Sequence, residues 1–441
     1  MVHVSLPYTL TLLSYRTLHF LKTPRFNIFL LISSATILFP KLHFFCKFRP
    51  SETAMSINLP FHAFAGNPLS SIPADPLSPS AALKSLNAIV LQNDLSPPSP
   101  NFKVLPFRNG SPLASSTAES DHSPPIWHLA WISLDDLKAI FESSGARLNG
   151  DSLVYLGSSA EDDAIYWAID VSAKVPQLGS NTNVESCFVE LRTIMVATDW
   201  EDFKAMQNLA IAGQAKALLE WHNISQFCGR CGEKTISVEA GRKRQCSNDS
   251  CKKRIYPRVD PVVIMLVIDR ENDRVLLGTR PKVISRVWSC LAGFTEQGES
   301  LEEAVRRETW EESGIEVGEV VYHSSQPWPV GSNSIPCQLM VGFFAYAKSR
   351  EITVDKKELE DVKWFSREDV QKALTLAEYK KLQRTAASKV EQMCKGVEKS
   401  RSLASDFNVE SGELAPIFVP GPIAIAHHLI SSWAFSAQNV H

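Results

Sequence analysis

Acidic residues are missing from the start of this sequence: of its 441 residues, none of the first 51 is Asp or Glu. Six Lys and Arg residues lie in that stretch among many Ser, Thr, Leu and Phe, a composition typical of an organellar transit segment. Its uncharged run, residues 26–40, has 15 residues, fewer than the roughly 20 that cross a bilayer. We therefore expect a transit segment over residues 1–54. A membrane anchor and a translation start at Met55 are the alternatives.

Cysteine is also scarce, and the charge is nearly balanced. Nine cysteines in a chain of this length exclude a disulfide-dense scaffold, and four of them cluster between Cys228 and Cys251. A formal charge of −3 excludes a dedicated nucleic-acid binder, so any anion must be bound locally. With 44% hydrophobic residues, most of the chain has the composition of a globular protein.

Pro and Ser punctuate the chain as far as Pro125, which predicts a mostly irregular linker over residues 55–125. An N-terminal α+β domain is expected over residues 126–222, ending in a helix from Gln207 to His222. Before that helix, the pattern predicts another helix at Leu134–Ser143 and strands near residues 152–156, 164–169 and 187–191.

The cysteine cluster has the spacing of a zinc ribbon, expected over residues 223–256. Two thiol pairs can converge on one cation and close a tetrahedral site with no open position for substrate. The zinc would therefore be structural, and its binding would stabilise a segment that has few apolar residues. A redox Cys-x-x-Cys motif and four unligated thiols are the alternatives. The four predicted ligands are Cys228, Cys231, Cys246 and Cys251.

A third domain, residues 257–435, with a tail at 436–441, opens with a continuous apolar run at Val262–Ile268. This run predicts a buried central strand, followed by a turn into a second strand at Arg274–Leu277. Downstream, Ser300 and Glu303 form a capping-box pattern at the start of a helix, and Gly314 suits its end.

One face of that helix changes from apolar to acidic along its length. At 100° per residue, Glu308 and Glu312 continue the stripe begun by Leu301, Ala304 and Val305. Carboxylates that face the protein are costly without a partner, so we expect both to grip one hard cation such as Mg²⁺ or Mn²⁺. A solvated, glutamate-rich helix is the alternative, but it would not leave Trp310 off the inward stripe.

The pattern Gly-x5-Glu-x7-Arg-Glu-x2-Glu-Glu-x-Gly-Ile, starting at Gly293, resembles the Nudix box, with Thr309 where the box usually has a larger aliphatic residue. Together with the zinc ribbon and the Gln-Pro-Trp motif at Gln326, it is similar to the NADH pyrophosphatase subgroup of Nudix hydrolases. The likeness is greatest to plant organellar members. The resemblance implies an α+β Nudix fold, a mixed sheet sandwiched between helices, preceded by the ribbon and the N-terminal α+β domain.

The same resemblance implies roles for individual residues. Glu308, Glu311 and Glu312 are the candidate catalytic residues, with Glu311 orienting or deprotonating the attacking water. The Mg²⁺ or Mn²⁺ ligands would be Glu308, Glu312, the carbonyl of Ala292, and Glu358 or, alternatively, Glu360. Gly293, Glu299, Arg307 and Gly314 would support the box. The implied substrate contacts are Tyr256, Phe294, Gln326, Trp328, Ser332, Ser334 and Ala426.

Each aromatic contact has a structural alternative: Phe294 as core, Tyr256 as a brace for the ribbon, and Trp328 as a residue that only fixes its loop. The implied reaction is hydrolysis of NADH, and more weakly of NAD⁺ or NADPH, to the mononucleotide and AMP. The alternatives are ADP-ribose or nicotinamide-capped RNA as substrates, or a non-catalytic zinc-ribbon binding module. A homodimer without a stable membrane partner is implied. The expected location is the chloroplast, with a mitochondrion, or a peroxisome or the cytosol after a start at Met55, as alternatives.

Overall fold

The computed structural model describes most of the chain beyond residue 61, and all of this lies within one compact unit, residues 56–441. The predicted transit segment and Met55 fall outside the described residues. Within the described part, no helix is both long and apolar enough to cross a membrane. The described residues are 62–70, 78–92, 101–117, 126–145, 148–149, 152–159, 161–172, 186–280, 287–331, 335–375, 378–396 and 418–436.

The N-terminal domain is a seven-stranded sheet in the order β3-β2-β1-β6-β5, with β4 beside β1 and β7 beside β2. Strand β1 pairs with β6 in parallel, and its alternate residues pack on opposite faces. Its strands are β1 (Asn101–Arg108), β2 (Ser111–Thr117), β3 (Ile126–Leu129), β4 (Ile132–Ser133), β5 (Leu153–Ser159), β6 (Ala164–Asp170) and β7 (Ser186–Phe188); its helices are α1 (Pro79–Gln92), α2 (Leu134–Ser143), α3 (Leu191–Ala197) and α4 (Phe203–Ile224).

The stretch predicted as an irregular linker contains α1, β1 and β2, so this domain begins before residue 126. The physical reason is a hairpin turn: Asn109 and Gly110 both have positive φ, 50° and 76°, as a tight turn between β1 and β2 requires. The strand predicted at 187–191 is also shorter than expected, because Leu191 already opens α3. The helices at 134–143 and 207–222 are confirmed, the second as part of α4.

The ribbon is a three-stranded antiparallel sheet, β8 (Thr235–Val238), β9 (Lys243–Cys246) and β10 (Arg254–Ile255), with β9 in the centre. The third domain holds a mixed sheet in the order β14-β15-β11-β12-β16, with β13 beside β11. Its strands are β11 (Asp260–Asp269), β12 (Arg274–Thr279), β13 (Leu291–Phe294), β14 (Val317–Trp328), β15 (Gln338–Ala347) and β16 (Asp361–Ser366), and its helices are α5 (Leu301–Ser313), α6 (Arg367–Thr375), α7 (Glu378–Cys394) and α8 (Ile425–Ala434).

Strand β11 shows why this sheet is covered on both faces. Ile264, Leu266 and Ile268 pack with α6 and α8, whereas Val263 and the residues that alternate with it pack with α5. A strand buried on both sides needs a continuous apolar run, which is what the sequence shows there. The predicted α+β fold, with a mixed sheet between helices, is confirmed, and it places α5 against the end of β13.

Candidate active site

Helix α5 begins and ends where its sequence predicts. Ser300 Oγ accepts a hydrogen bond from the Glu303 backbone N–H at 3.3 Å, and Glu303 Oε2 accepts from the Ser300 N–H at 2.7 Å. At the other end, Gly314 has φ 70° and its N–H donates to the Trp310 carbonyl at 2.7 Å. The capping box and the left-handed terminal glycine are both confirmed, and they fix the rotation of the acidic stripe about the helix axis.

The stripe faces inward. The Glu308 side chain is largely buried and Glu312 is only 1% exposed, whereas Trp310 on the outer face is 60% exposed. Ala304 and Val305 lie fully buried one and two turns earlier on the same stripe. The carboxylates therefore occupy positions that an ordinary amphipathic helix would give to aliphatic side chains, which excludes the solvated-helix alternative.

Arg307 joins the acidic groups of this region. Its guanidinium donates to Glu299 at 2.6 Å, to Glu308 at 2.8 Å and to Glu311 at 2.9 Å. It also donates to the Phe294 carbonyl at 2.8 Å. Hydrogen bonds from Arg307 lower the pKa of Glu299 to about 2, so this carboxylate stays ionised at neutral pH. One planar cation thus orients the half-exposed Glu311 and ties the loop after β13 to α5.

The deeper carboxylate, Glu312, has few contacts that compensate for the cost of burying its charge. Burial, with a smaller contribution from Glu308 and Glu358, raises its pKa to about 7. Arg280 lies 3.6 Å from Glu312 Oε1, and Glu312 Oε2 is a buried oxygen with no hydrogen-bond partner among the described residues. A buried, unpartnered carboxylate oxygen beside two other acids is the chemistry that a divalent cation would satisfy.

Glu308 is in a similar state: burial raises its pKa, and Glu311 and Glu358 raise it further, against the effect of Arg307. Among the described residues, Glu308, Glu312 and Glu358 do not all approach within 4.8 Å of one another. The donor set fits a hard divalent cation because Glu308 and Glu312 are buried carboxylates whose pKa values are raised by burial and by the charge of neighbouring acids, Glu358 among them.

Strand β13 supplies the opposite wall. The Ala292 carbonyl accepts a hydrogen bond from Arg280 at 2.9 Å, so this arginine touches both the carbonyl and the carboxylate that were predicted as metal ligands. Gly293 leaves room for Glu308, and Phe294 follows with a ring 45% exposed at the rim of the site. This exposure is not that of a core residue, which was the alternative role of Phe294.

The sequence gives little sign of Arg280, since an arginine after a strand is ordinary. Its position becomes informative only once β12 and β13 are seen to bring it to the buried end of the acidic stripe. This residue is the main member of the site that sequence reasoning missed.

Gln326 has a different environment from the predicted one. Its side chain is fully buried, and Nε2 donates to the carbonyls of Ala63 and Ile423, while Oε1 accepts from the Ile425 N–H. In this arrangement the amide offers no free group to a substrate. Gln326 instead holds the end of β14, the start of α8 and the segment near Ala63 together.

The other predicted substrate contacts are dispersed. Trp328 is half-buried, in edge contact with Phe64 and beside Arg192, whose guanidinium donates to the Val330 carbonyl at 2.6 Å. Ala426 is buried on α8, where its carbonyl faces the Cys290 thiol. Tyr256 is exposed, with Lys243 over its ring. Ser332 and Ser334 lie outside the described residues.

The four cysteines of the ribbon meet at one point. Their sulfurs all lie within 4.8 Å of one another, with Cys228 Sγ 3.9 Å from Cys251 Sγ and Cys231 Sγ 3.4 Å from Cys246 Sγ. A tetrahedral zinc with Zn–S bonds of about 2.3 Å would separate its sulfurs by roughly 3.8 Å, so the site fits zinc. Cys246 is fully buried, which agrees with a structural role.

Comparison with known proteins agrees with this geometry. A NUDIX domain model matches residues 259–385, an NADH pyrophosphatase zinc ribbon model matches 225–256, and an NADH pyrophosphatase-like rudimentary NUDIX model matches 103–221. Nudix hydrolase 19, chloroplastic, from Arabidopsis thaliana is 63% identical over 399 residues, 89% of this chain and 90% of that protein. The chain belongs to the Nudix hydrolase family.

Two further relatives bear on the subgroup of this Nudix hydrolase. NAD(P)H pyrophosphatase NUDT13, mitochondrial, from Mus musculus is 32% identical over 337 residues, 74% of this chain and 82% of that protein. NAD-capped RNA hydrolase NUDT12 from Homo sapiens is 39% identical over 229 residues, 51% of this chain but only 41% of that protein. The zinc ribbon and the rudimentary domain place the chain in the NADH pyrophosphatase subgroup, and it is an enzyme of the Nudix type with a structural zinc site.

Proposed function

We propose that this Nudix hydrolase cleaves the pyrophosphate bond of NADH, and more weakly that of NAD⁺ and NADPH, to give the nicotinamide mononucleotide and AMP. The observation that carries the proposal is the pair of buried carboxylates, Glu308 and Glu312, beside the exposed ring of Phe294. Metal and phosphate chemistry thus lies next to a surface suited to a base or nicotinamide ring. The similarity of the ribbon and of the N-terminal domain to NADH pyrophosphatase models supports the substrate.

The residues divide into binding and reacting groups. Glu308, Glu312, the Ala292 carbonyl and Glu358 would hold Mg²⁺ or Mn²⁺, and the cation when bound would neutralise the phosphate oxygens that otherwise repel water. Glu358, rather than Glu360, is the preferred fourth ligand because its charge acts on both buried carboxylates. Arg280 would then have to release both Glu312 and the Ala292 carbonyl, and its guanidinium would turn to a phosphate oxygen of the substrate.

Glu311 is the proposed group that orients the attacking water or accepts its proton. It is half exposed, and Arg307 fixes its carboxylate at 2.9 Å, so it is available to solvent without being free to rotate. Water would add to one phosphorus, and the bridging oxygen would leave with the other phosphate. Phe294 and Tyr256 would stack on the rings of the dinucleotide. Trp328 would shape one end of the pocket, and Ala426 would add a backbone contact.

The chloroplast is the proposed location, supported by the name of the Arabidopsis relative. A homodimer remains part of the proposal. A purely non-catalytic zinc-ribbon module is disfavoured, because a site that has lost its activity would be expected to lose its functional residues. This site retains two buried carboxylates, the Gly293 that leaves room for Glu308, and an Arg307 hydrogen-bonded to the neighbouring acids.

The decisive experiment is kcat/KM for NADH, NADPH, NAD⁺ and ADP-ribose, each with Mg²⁺ and with Mn²⁺, on the full chain. NADH should have the highest value, and Glu308→Gln should lower turnover on every substrate at least tenfold while the protein remains folded. A higher kcat/KM for ADP-ribose than for NADH would overturn the substrate assignment. A folded Glu308→Gln variant above a tenth of wild-type turnover would overturn the metal-ligand assignment.

A further inference from the structure

Two cysteines outside the ribbon lie side by side although they are far apart in sequence. Cys187, on β7, and Cys394, in the last turn of α7, are separated by 207 residues, yet their Sγ atoms are 2.8 Å apart. The ribbon thiols, which are spaced for a metal ion, have longer Sγ–Sγ distances of 3.4 Å and 3.9 Å. The contact between Cys187 and Cys394 therefore needs an explanation of its own.

A metal ion does not explain the pair. In the part of the chain that the structure describes, the four ribbon cysteines are the only group of three or more side chains that could hold a metal. A shared zinc would also hold two sulfurs roughly 3.8 Å apart, about 1 Å farther than they are here. The sulfurs of a disulfide are about 2.05 Å apart, so bond formation requires these two to approach by only about 0.8 Å.

Regular backbone brings the two side chains together. Cys187 lies opposite Ala114 in the antiparallel pairing of β7 with β2. The Cys394 thiol donates to the carbonyl of the same Ala114 at 3.6 Å, because α7 packs across β2 and β7. One thiol thus comes from the sheet and the other from the helix that covers it, and both are placed by their contacts with one residue of β2.

Helix α7 spans two domains, and Cys394 is at the end that contacts the N-terminal domain. Near the start of the helix, Tyr379 donates from its hydroxyl to the Val419 carbonyl at 2.9 Å. In the middle, Gln383 donates to the Thr198 carbonyl at 2.6 Å. The last turns of α7 pack in the hydrophobic core of the N-terminal domain through Ala386, Ala387, Val390 and Met393. A bond at Cys394 would therefore join this domain to a helix that follows the catalytic sheet.

The exposure of the two thiols sets the order in which they react. Cys187 is half-buried and Cys394 is buried, so an oxidant in solution meets Cys187 first. Its hydrogen bond with Cys394, together with burial, raises the pKa of the Cys187 thiol. Because the thiolate is the reacting form, oxidation should be slow at pH 7 and faster at higher pH.

From this geometry we propose that Cys187 and Cys394 form a reversible disulfide when the protein meets a disulfide oxidant such as oxidised glutathione. The Cys187 thiolate attacks one sulfur of the oxidant and releases the first glutathione. The sulfur of Cys394 then attacks the sulfur of Cys187 and releases the second. Two electrons pass to the oxidant, and the two cysteine protons end on the two released thiols.

The bond would connect residues that are 207 positions apart, with the ribbon and the acidic helix between them. A covalent link across so long a segment restricts the unfolded chain more than the folded one, so the oxidised protein should be the more stable form. One reversible bond also agrees with a reducing compartment, where disulfides are transient and respond to the redox state. The inference does not depend on the substrate of the enzyme.

The test uses the zinc-loaded full chain at about pH 8.5, the ordinary pKa of a free thiol. One sample is incubated overnight with oxidised glutathione and another with dithiothreitol, and both are alkylated and digested without reduction for mass spectrometry. The oxidised sample should contain a peptide pair linked through Cys187 and Cys394 in most chains, and dithiothreitol should remove it. The Tm of the oxidised protein should be higher by about 3–8 °C, with zinc content unchanged.

The variants Cys187→Ser and Cys394→Ser should each lose the linked peptides and the oxidant-dependent rise in Tm. Cys337→Ser is the matched control, since it removes another half-buried thiol and should keep both. The peptide map of the wild type needs no variant, so the test stands even if one of the serine variants does not fold.

A glutathione adduct at Cys187 without linked peptides would overturn the inference, as would unmodified thiols at both positions. So would links from Cys187 to other cysteines that are as abundant as the link to Cys394. A rise in Tm that persists in Cys187→Ser, or a linked wild-type protein whose Tm does not rise, would show that this bond does not hold the N-terminal domain to α7.

Discussion

Gly293 and Glu308 lie so close that a side chain at residue 293 has no room: a Cβ built on Gly293 would be 1.9 Å from Cδ of Glu308. Gly293 sits in β13 and Glu308 in α5, so the missing side chain lets the carboxylate reach the strand that carries the Ala292 carbonyl. The glycine of the Nudix box is here a requirement for the position of its first buried glutamate.

We therefore predict that Gly293→Ala lowers kcat on NADH by about 100-fold, because displacement of a catalytic group by roughly 1 Å has an effect of that size. The clash is with the end of a flexible side chain, so the free energy of unfolding should change little. Gly229→Ala, where a Cβ would meet nothing within 4 Å, is the matched control. Steady-state kinetics together with urea unfolding of both variants would check this; a Gly293→Ala enzyme with half of wild-type kcat would contradict it.

The two metal sites should respond differently to dialysis. Four thiolates close the ribbon site, whereas the carboxylate site is shared with water, so one zinc per chain should survive dialysis against chelator-free buffer while Mg²⁺ is removed. Cys246→Ser, which changes the most buried of the four thiols, should lower the zinc content and unfold the ribbon. Elemental analysis before and after dialysis measures both metals; wild-type protein prepared without chelator and lacking zinc would show that the assignment is wrong.

Helix α5 could be predicted almost completely, because its signals are local. The capping box, the terminal glycine and the inward acidic stripe all depend on residues less than five positions apart, and all are confirmed. The zinc cluster could be predicted for the same reason, since the two cysteines of each ligand pair lie close together in sequence.

The predicted start of the N-terminal domain was wrong, because the strand pairing that fixes the true start joins residues far apart in sequence. Strand β1 gains its partner from β6, more than 60 residues later, and the abundant Pro and Ser hid the Asn109–Gly110 turn that pairs β1 with β2. The environment of Gln326 could not be predicted either, since its partners lie 263 and 97 residues away in sequence. The polar side chain of Gln326 suggested a contact with substrate, whereas in the fold it is buried and hydrogen-bonded to backbone groups of other segments.

Gln326 gives a prediction about stability and pH. Gln326→Glu would set a carboxyl group against the carbonyl oxygens of Ala63 and Ile423, so the free energy of unfolding should fall by roughly 3 kcal/mol at pH 8. Burial favours the protonated carboxyl in the folded state, which raises its pKa above the unfolded value of about 4.3. The deficit should therefore be smaller at pH 5 and grow as the pH rises toward the folded-state pKa.

Urea unfolding at several pH values, with the wild type measured in parallel, tests this prediction. Gln226→Glu makes the same change at an exposed position and should alter stability by less than about 0.5 kcal/mol at either pH. A Gln326→Glu protein as stable as the wild type at pH 8 would mean that the three hydrogen bonds of the amide do not hold these segments together.

Two roles can be assigned to Trp328, and kinetic measurements can distinguish them. Its ring packs against Phe64 with centroids 6.1 Å apart, and Arg192 lies 5.8 Å from its ring, so it anchors the loop after β14 to the N-terminal domain. Its half-exposed side can still shape the pocket for the nicotinamide end of the dinucleotide. NADH and ADP-ribose share the pyrophosphate and adenosine, so a residue that touches only the other end affects one substrate more than the other.

We predict that Trp328→Ala lowers kcat/KM for NADH more than for ADP-ribose, by an extra factor of about 5 to 150, the worth of one aromatic stacking contact of roughly 1–3 kcal/mol. Phe64→Ala removes the brace behind Trp328 without reaching the pocket, and it should lower kcat/KM for both substrates to a similar and smaller extent. Equal losses for NADH and ADP-ribose in Trp328→Ala, matching those in Phe64→Ala, would show that the tryptophan only anchors its loop. Discrimination would then have to come from Phe294 or Tyr256, since the acidic helix contacts only phosphate and metal, which both substrates present alike.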